Sequence, residues 1–144
     1  MAKTLQDLAN NVEKIAKEIE LAASKLAIDV ANAIVADLAY TTPVDTSNAL
    51  SNWIVTLDSP ATHEISPHVP GVLGSTQPQS AAETVSLAKA TLQNKKPGQP
   101  IFITNNAPYI RYLDEGSSSQ APAGFVERTV AIGRQALKGF RLND

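Results

Sequence analysis

The feature that most limits what this chain can become is an apolar stripe at helical spacing, running from Leu5 to about Tyr40 without a glycine or proline. Leu5, Leu8, Val12, Ile15, Ile19, Ala22 and Leu26 alternate steps of three and four, and the stripe reads onward through Val30, Ile34 and Leu38. Opposite charges four apart, Glu13 with Lys17 and Lys14 with Glu18, lie on the other faces. Lys3 or Thr4 opens the helix and Thr41-Thr42-Pro43 closes it, which bounds it at about 4–41. Such a helix is ~55 Å long, whereas a compact domain of 144 residues has a radius of gyration of only ~14–15 Å. It must therefore bend or break, or bury one end of its stripe against another copy or a partner. Alanines from Ala9 to Ala39 permit close helix approach on several sides. A two-chain coiled coil is the alternative, against which the drift from strict heptads after Leu26 argues.

The remainder reads as shorter elements that complete one α+β domain over 1–144: a small antiparallel sheet, two further helices and a long irregular loop, all within 43–142. Pro43 holds Thr42 extended, and Asp45 or Thr46 is placed to cap a short helical turn. Trp53-Ile54-Val55-Thr56-Leu57 is a strand with Trp53, Val55 and Leu57 on its core face. Asp58-Ser59-Pro60 turns the chain, and Thr62 to Ser66 is a weaker strand candidate. Residues 66–80 hold three of the nine prolines and two of the seven glycines, the mark of a long irregular loop. Ser80-Ala81-Ala82-Glu83 matches a capping box, opening a helix with Ala81, Val85, Ala88 and Leu92 on one face. Ile101 to Thr104 is a second strand, Tyr109 to Leu113 a helical turn, and Pro122 fits the first turn of a last helix. Val126, Val130, Gly133, Leu137 and Phe140 are its expected core face, with Arg134, Lys138 and Arg141 opposite.

Chemistry finds little purchase in the sequence. There is no cysteine, hence no disulfide, thiolate metal site or cysteine nucleophile. No apolar run reaches the ~18 residues of a membrane span, and the opening MAKTLQDL does not read as a signal peptide. Net charge is -2, with a local +2 from Glu127 onward, short of the dense basic surface of a free-standing DNA-binding domain. His63 and His68 lack a diagnostic third ligand, although Glu64 and Asp58 are near in sequence; ordinary loop histidines explain them. Ser117 to Ser119 beside Asp114 and Glu115 have no nucleophile elbow, and no spacing singles out a carboxylate pair. Neither a P-loop nor G-x-G-x-x-G occurs. Arg134, Lys138 and Arg141 suit phosphate or an acidic partner, or simply a solvated face. Tyr109, Tyr112 and Phe125 suit interface anchors or a small core. No metal or other cofactor is expected.

Three stretches in order, TTPVDTSNALSNWIV at 41–55, HVPGVLGST at 68–76 and IFITNNAPYIRYLDEGSSSQAPAGFVERTV at 101–130, resemble the neck or tail-completion family of tailed double-stranded DNA bacteriophages. The pattern T-P-V-D-T-G of that family is departed from at Ser47, where glycine is usual. The resemblance implies a non-enzymatic α+β virion protein that forms a ring of six or twelve copies at the head-to-tail joint or the top of the tail. Its partners would be further copies of itself, portal, adaptor or other neck proteins, and a tail terminator or tail tube protein. Packaged DNA would cross the ring without sequence-specific binding, and no membrane would be involved. Assembly would take place in the host cytoplasm, with the product in the virion. On this reading Asn105, Asn106, Pro108, Tyr109, Tyr112, Glu115, Gly116, Gln120, Pro122 and Phe125 form an interface, and the 66–80 loop and the Asn105 to Gln120 segment order partly on assembly. Pro43, Asp45 and Thr46 form a structural turn, while His68, Pro70, Gly71, Gly74 and Ser75 belong to a docking loop. A minor assembly hydrolase and a host-directed binding module are the competing expectations.

Overall fold

The long stripe does form one helix. The computed structural model of the chain describes residues 4–116 and 124–138, and in it α1 runs unbroken over Leu5–Thr41. Thr4 caps its start, its hydroxyl accepting the Asp7 amide at 3.1 Å. At the other end Thr42 turns extended and donates its hydroxyl to Leu38 O at 2.6 Å. The same hydroxyl accepts Trp53 Nε1 at 2.8 Å, so the helix end and the first strand are fixed to each other in a buried place.

The other elements are α2 (Asn48–Ser51), β1 (Trp53–Leu57), α3 (Gln77–Leu92), β2 (Ile101–Asn105), α4 (Ile110–Asp114) and α5 (Phe125–Lys138). This is an α+β fold with a two-stranded antiparallel sheet, in which Trp53 faces Asn105, Val55 faces Ile103 and Leu57 faces Ile101. Trp53 and Val55 are buried and Leu57 half-buried, in keeping with the alternation of a one-sided strand.

The C-terminal half of α1 is the spine on which the rest packs. On one side α3 runs antiparallel to it, with Ala88 and Leu92 against Ala31 and Val35, and Ala81 against Ala39, Val44 and Leu50. On another side lies α5, also antiparallel: Phe125 packs with Leu38, Thr129 bonds to the Asp37 carboxylate, and Gly133 sits over Ile34 and Val30. A methyl group on Gly133 would stand 2.7 Å from Ile34 Cδ1, so the glycine sets how closely these helices approach.

Several local expectations need correction. Ser80 does not cap α3, which begins at Gln77 with a proline in its first turn; Ser80 is buried inside the helix, its hydroxyl donating to Val69 O at 3.2 Å. The irregular loop therefore ends at Thr76. Residues 62–66 form no strand, because the backbone of Ile65 pairs with a side chain instead: Asn52 Oδ1 accepts Ile65 N at 2.8 Å and Asn52 Nδ2 donates to Ile65 O at 2.9 Å. Neither Asp45 nor Thr46 caps α2; Ser47 occupies the cap position at φ 66 without a side-chain cap bond. That left-handed backbone is where glycine fits without strain. On α5, Val130 and Leu137 are exposed rather than core-facing, since Phe125, Thr129 and Gly133 take the side toward α1. Phe140 lies outside the described residues.

Candidate assembly interface

Every residue of α1 from Thr4 to Leu21 is exposed. On the α3 side the helix is tied to the rest of the domain at Ser24, whose hydroxyl accepts Lys95 Nζ at 2.9 Å. Beyond it, roughly 28 Å of helix projects with Leu5, Leu8, Val12, Ile15, Ile19 and Leu21 between 45% and 86% exposed. Half-burying six such side chains on a partner is worth roughly 5 kcal/mol before association costs. An apolar patch of this kind on a soluble surface marks an interaction site.

The direction of the stripe is informative. Residues eighteen apart, about five turns at 3.6 residues per turn, point the same way. Ala31 and Val35, which pack against α3, repeat at Glu13 and Lys17, both charged, while Ala39, which also meets α3, repeats at Leu21. The positions under or beside α5, Val30, Ile34 and Asp37, repeat at Val12, Ala16 and Ile19. The open stripe is thus not a continuation of the α3-facing core. It continues the side of α1 on which α5 already lies. Of the six exposed residues Leu21 lies on the α3 side, and Leu38, which packs with Phe125 and Trp53, stands between the two sides.

The second expected patch, 105–116, is partly spent inside the chain. Asn105 Nδ2 donates to Ala49 O at 2.8 Å, and its Oδ1 accepts the Ala107 amide at 3.0 Å. Asn106 Nδ2 donates to Ala61 O at 2.9 Å and His63 O at 3.2 Å. These amides staple the end of β2 to the segments beside it. Pro108, Tyr109, Tyr112, Glu115 and Gly116 are exposed, with Gly116 at φ 92. Phe125 is fully buried against Leu38 and Trp53, so it anchors the core and is not available to a partner. Gln120 and Pro122 lie outside the described residues, as do Ser117 to Ser119 and Arg141. Asp114, which no sequence pattern singles out as structural, holds the start of α5: its backbone oxygen accepts Gly124 N at 2.7 Å and Oδ1 accepts Val126 N at 3.1 Å.

The loop expected to order on assembly is tied down within the single chain. Asp45 Oδ1 accepts Leu73 N at 2.7 Å and Asp45 O accepts Gly74 N at 2.9 Å. Thr76 donates its hydroxyl to Val69 O at 2.6 Å and shares a 3.0 Å bond with the Ser47 hydroxyl. The His68 amide donates to Ser51 Oγ at 3.0 Å. Gly71 has no room for a side chain, because a Cβ would stand 2.6 Å from Thr76 Cγ2. Pro70 and Ser75 are exposed, and the tip presents Val72 and Leu73, the latter at φ 55 and 91% exposed.

An open depression of about 670 Å³ brings the turn and the Tyr109 segment together, between residues 43–49, Pro67, Tyr109 and Leu113. Its one carboxylate lining group, Asp45, is engaged with the Leu73 amide. A smaller recess of about 140 Å³ gathers both His63 and His68 with Thr84 and Thr91. Burial pushes the His68 imidazole below its ordinary value, opposed by the Glu83 carboxylate and a hydrogen bond to the Ser51 backbone. Among the described residues no three metal-capable side chains come together. Comparisons with protein-family models, curated proteins and solved structures find no match to this chain.

Proposed function

We propose that this chain is a structural subunit of a ring at the head-to-tail joint, or the top of the tail, of a tailed bacteriophage. The observation that carries the assembly part of the reading is the N-terminal half of α1, an amphipathic helix whose apolar side has no cover within the described fold. A contiguous exposed apolar face of this kind is the mark of a surface on which copies or partners meet. The phage assignment rests on the resemblance of 41–55, 68–76 and 101–130 to neck and tail-completion proteins. On this reading the ring of six or twelve copies meets portal, adaptor or other neck proteins on one side and a tail terminator or tube on the other. Its modest net charge of -2 suits a channel through which DNA slides, since a strongly basic wall would hold phosphates.

The test is the particle itself. Mass spectrometry of purified virions should find the chain at six or twelve copies, and imaging of particles carrying a tagged copy should place it at the neck. Absence from the virion would overturn the reading. Neither competing expectation gains an observation: the Asp114 carboxylate is taken up by the start of α5.

A further inference from the structure

We propose that the open N-terminal half of α1 is the seat for α5 of a second copy of this chain, so that copies join head to tail. The reading deepens the proposed ring and names the two surfaces that make its lateral contact. Three observations carry it. First, the open stripe lies in the same direction as the side of α1 already covered by α5: Val12, Ala16 and Ile19 repeat Val30, Ile34 and Asp37 about five turns earlier. The helix thus offers the α5-facing side twice, once filled from within and once open.

Second, α5 has an unused apolar line. Phe125, Thr129 and Gly133 face its own α1, but Val130 and Leu137, two turns apart, are 39% and 48% exposed. Two apolar surfaces, one on each helix, are therefore uncovered in the same chain.

Third, the charges select this pairing over α1 against α1. From Thr4 to Ala23 the helix carries Asp7, Glu13, Glu18 and Glu20 against Lys14 and Lys17, a net -2. The chain from Glu127 onward is +2 by the same count, and Arg128 and Arg134 are exposed on α5. Two copies of the acidic segment laid together repel, whereas the acidic segment and the basic helix attract. A contact between two different surfaces is heterologous, the kind that closes into a ring when the rotation allows.

The absence of cysteine makes a clean test possible. Val12→Cys, Ile15→Cys and Ile19→Cys proteins are each mixed with Val130→Cys or Leu137→Cys protein under mild oxidation, both free and after incorporation into particles. Disulfides between an α1 cysteine and an α5 cysteine are expected in at least one pair. In parallel, Glu13→Lys/Glu18→Lys/Glu20→Lys and Arg128→Glu/Arg134→Glu proteins are followed by sedimentation. Each alone should associate at least tenfold more weakly than the unaltered chain, and a mixture of the two should recover association. All five residues are exposed, and circular dichroism verifies that each variant is folded. Cross-links only between α1 cysteines, no cross-link in either setting, or charge reversals without effect would overturn the proposal. Loss of the phage reading has a separate signature: the chain would be missing from virions while the α1–α5 cross-link of the purified protein persisted.

Discussion

The two halves of α1 share a helical period of branched aliphatics, yet they differ in burial. From Ser24 to Thr41 the helix is the spine of the domain, clamped by α3 and α5 and joined to β1 through the Trp53 and Thr42 hydrogen bond. From Thr4 to Leu21 it is exposed throughout. The difference lies in phase as well as in hydrophobicity. In the spine, apolar residues occupy both the α3 side and the α5 side. In the projecting half the α3 side turns to Glu13 and Lys17, with Leu21 its one apolar residue near the boundary, and Leu8, Val12, Ile15 and Ile19 keep to the α5 side. A helix can therefore be core along one half and open along the other while reading as one uninterrupted pattern.

The largest expected effect separates the halves directly. Leu38→Ala, at a site only 3% exposed, should cost about 2–5 kcal/mol in urea unfolding of the dilute chain. Ile15→Ala should change that stability by less than about 0.5 kcal/mol while weakening association. Equal losses in dilute solution would mean the projecting half is held by the domain after all. The next effect concerns the two α5-facing sites. Gly133→Val forces side-chain bulk into Ile34, where even a Cβ would stand 2.7 Å from Cδ1, and should cost about 1–3 kcal/mol. Ala16→Val, about five turns before Ile34, should leave the dilute chain within about 0.5 kcal/mol of its parent, because Ala16 is exposed.

Much of this architecture is legible in the order of residues alone, because long periodic elements declare themselves. The bounds of α1, the two strands and the turn at Ile110–Asp114 follow from apolar spacing and from proline and asparagine punctuation. What spacing cannot carry is which side of a helix meets which neighbour. Val130 and Leu137 look like core by hydrophobicity, but Thr129 and Gly133 take that place: Thr129 reaches Asp37, ninety-two residues away in sequence, and Gly133 admits Ile34. Ser80 illustrates a related limit. Its S-x-x-E pattern is a valid cap signal, yet Pro78 already points to an earlier start, and the hydroxyl is drawn off by Val69 across the loop. At the expected interface, Asn105 and Asn106 are polar residues in a surface-like segment, but their amides bind distant backbone carbonyls of Ala49, Ala61 and His63. Such bonds depend on tertiary placement and leave no periodic trace.

The boundary between the halves should yield to smaller changes. Lys95→Met keeps the length of the side chain but removes the 2.9 Å bond to Ser24 Oγ and the 3.1 Å bond to Lys96 O. The expected cost is about 0.5–1.5 kcal/mol, read in the same urea titration. A loss beyond that range would show that the spine extends further toward the N-terminus than Ser24.

The smallest expected effect is also the sharpest test of independence. Thr4 caps α1 through the Asp7 amide at 3.1 Å, and Thr4→Ala should weaken the first turn by about 1 kcal/mol. If the projecting half is energetically separate, that loss stays local, because fraying one end removes no contact from the core. Amide hydrogen exchange should then accelerate roughly fivefold in the first turns, with the exchange of Val35 and Leu38 and the urea midpoint unchanged. If a second copy covers the same turns as proposed, the acceleration should disappear on assembly. Acceleration that spreads to Val35 and Leu38 would mean that α1 unfolds as one unit, and that its two halves differ in exposure but not in stability.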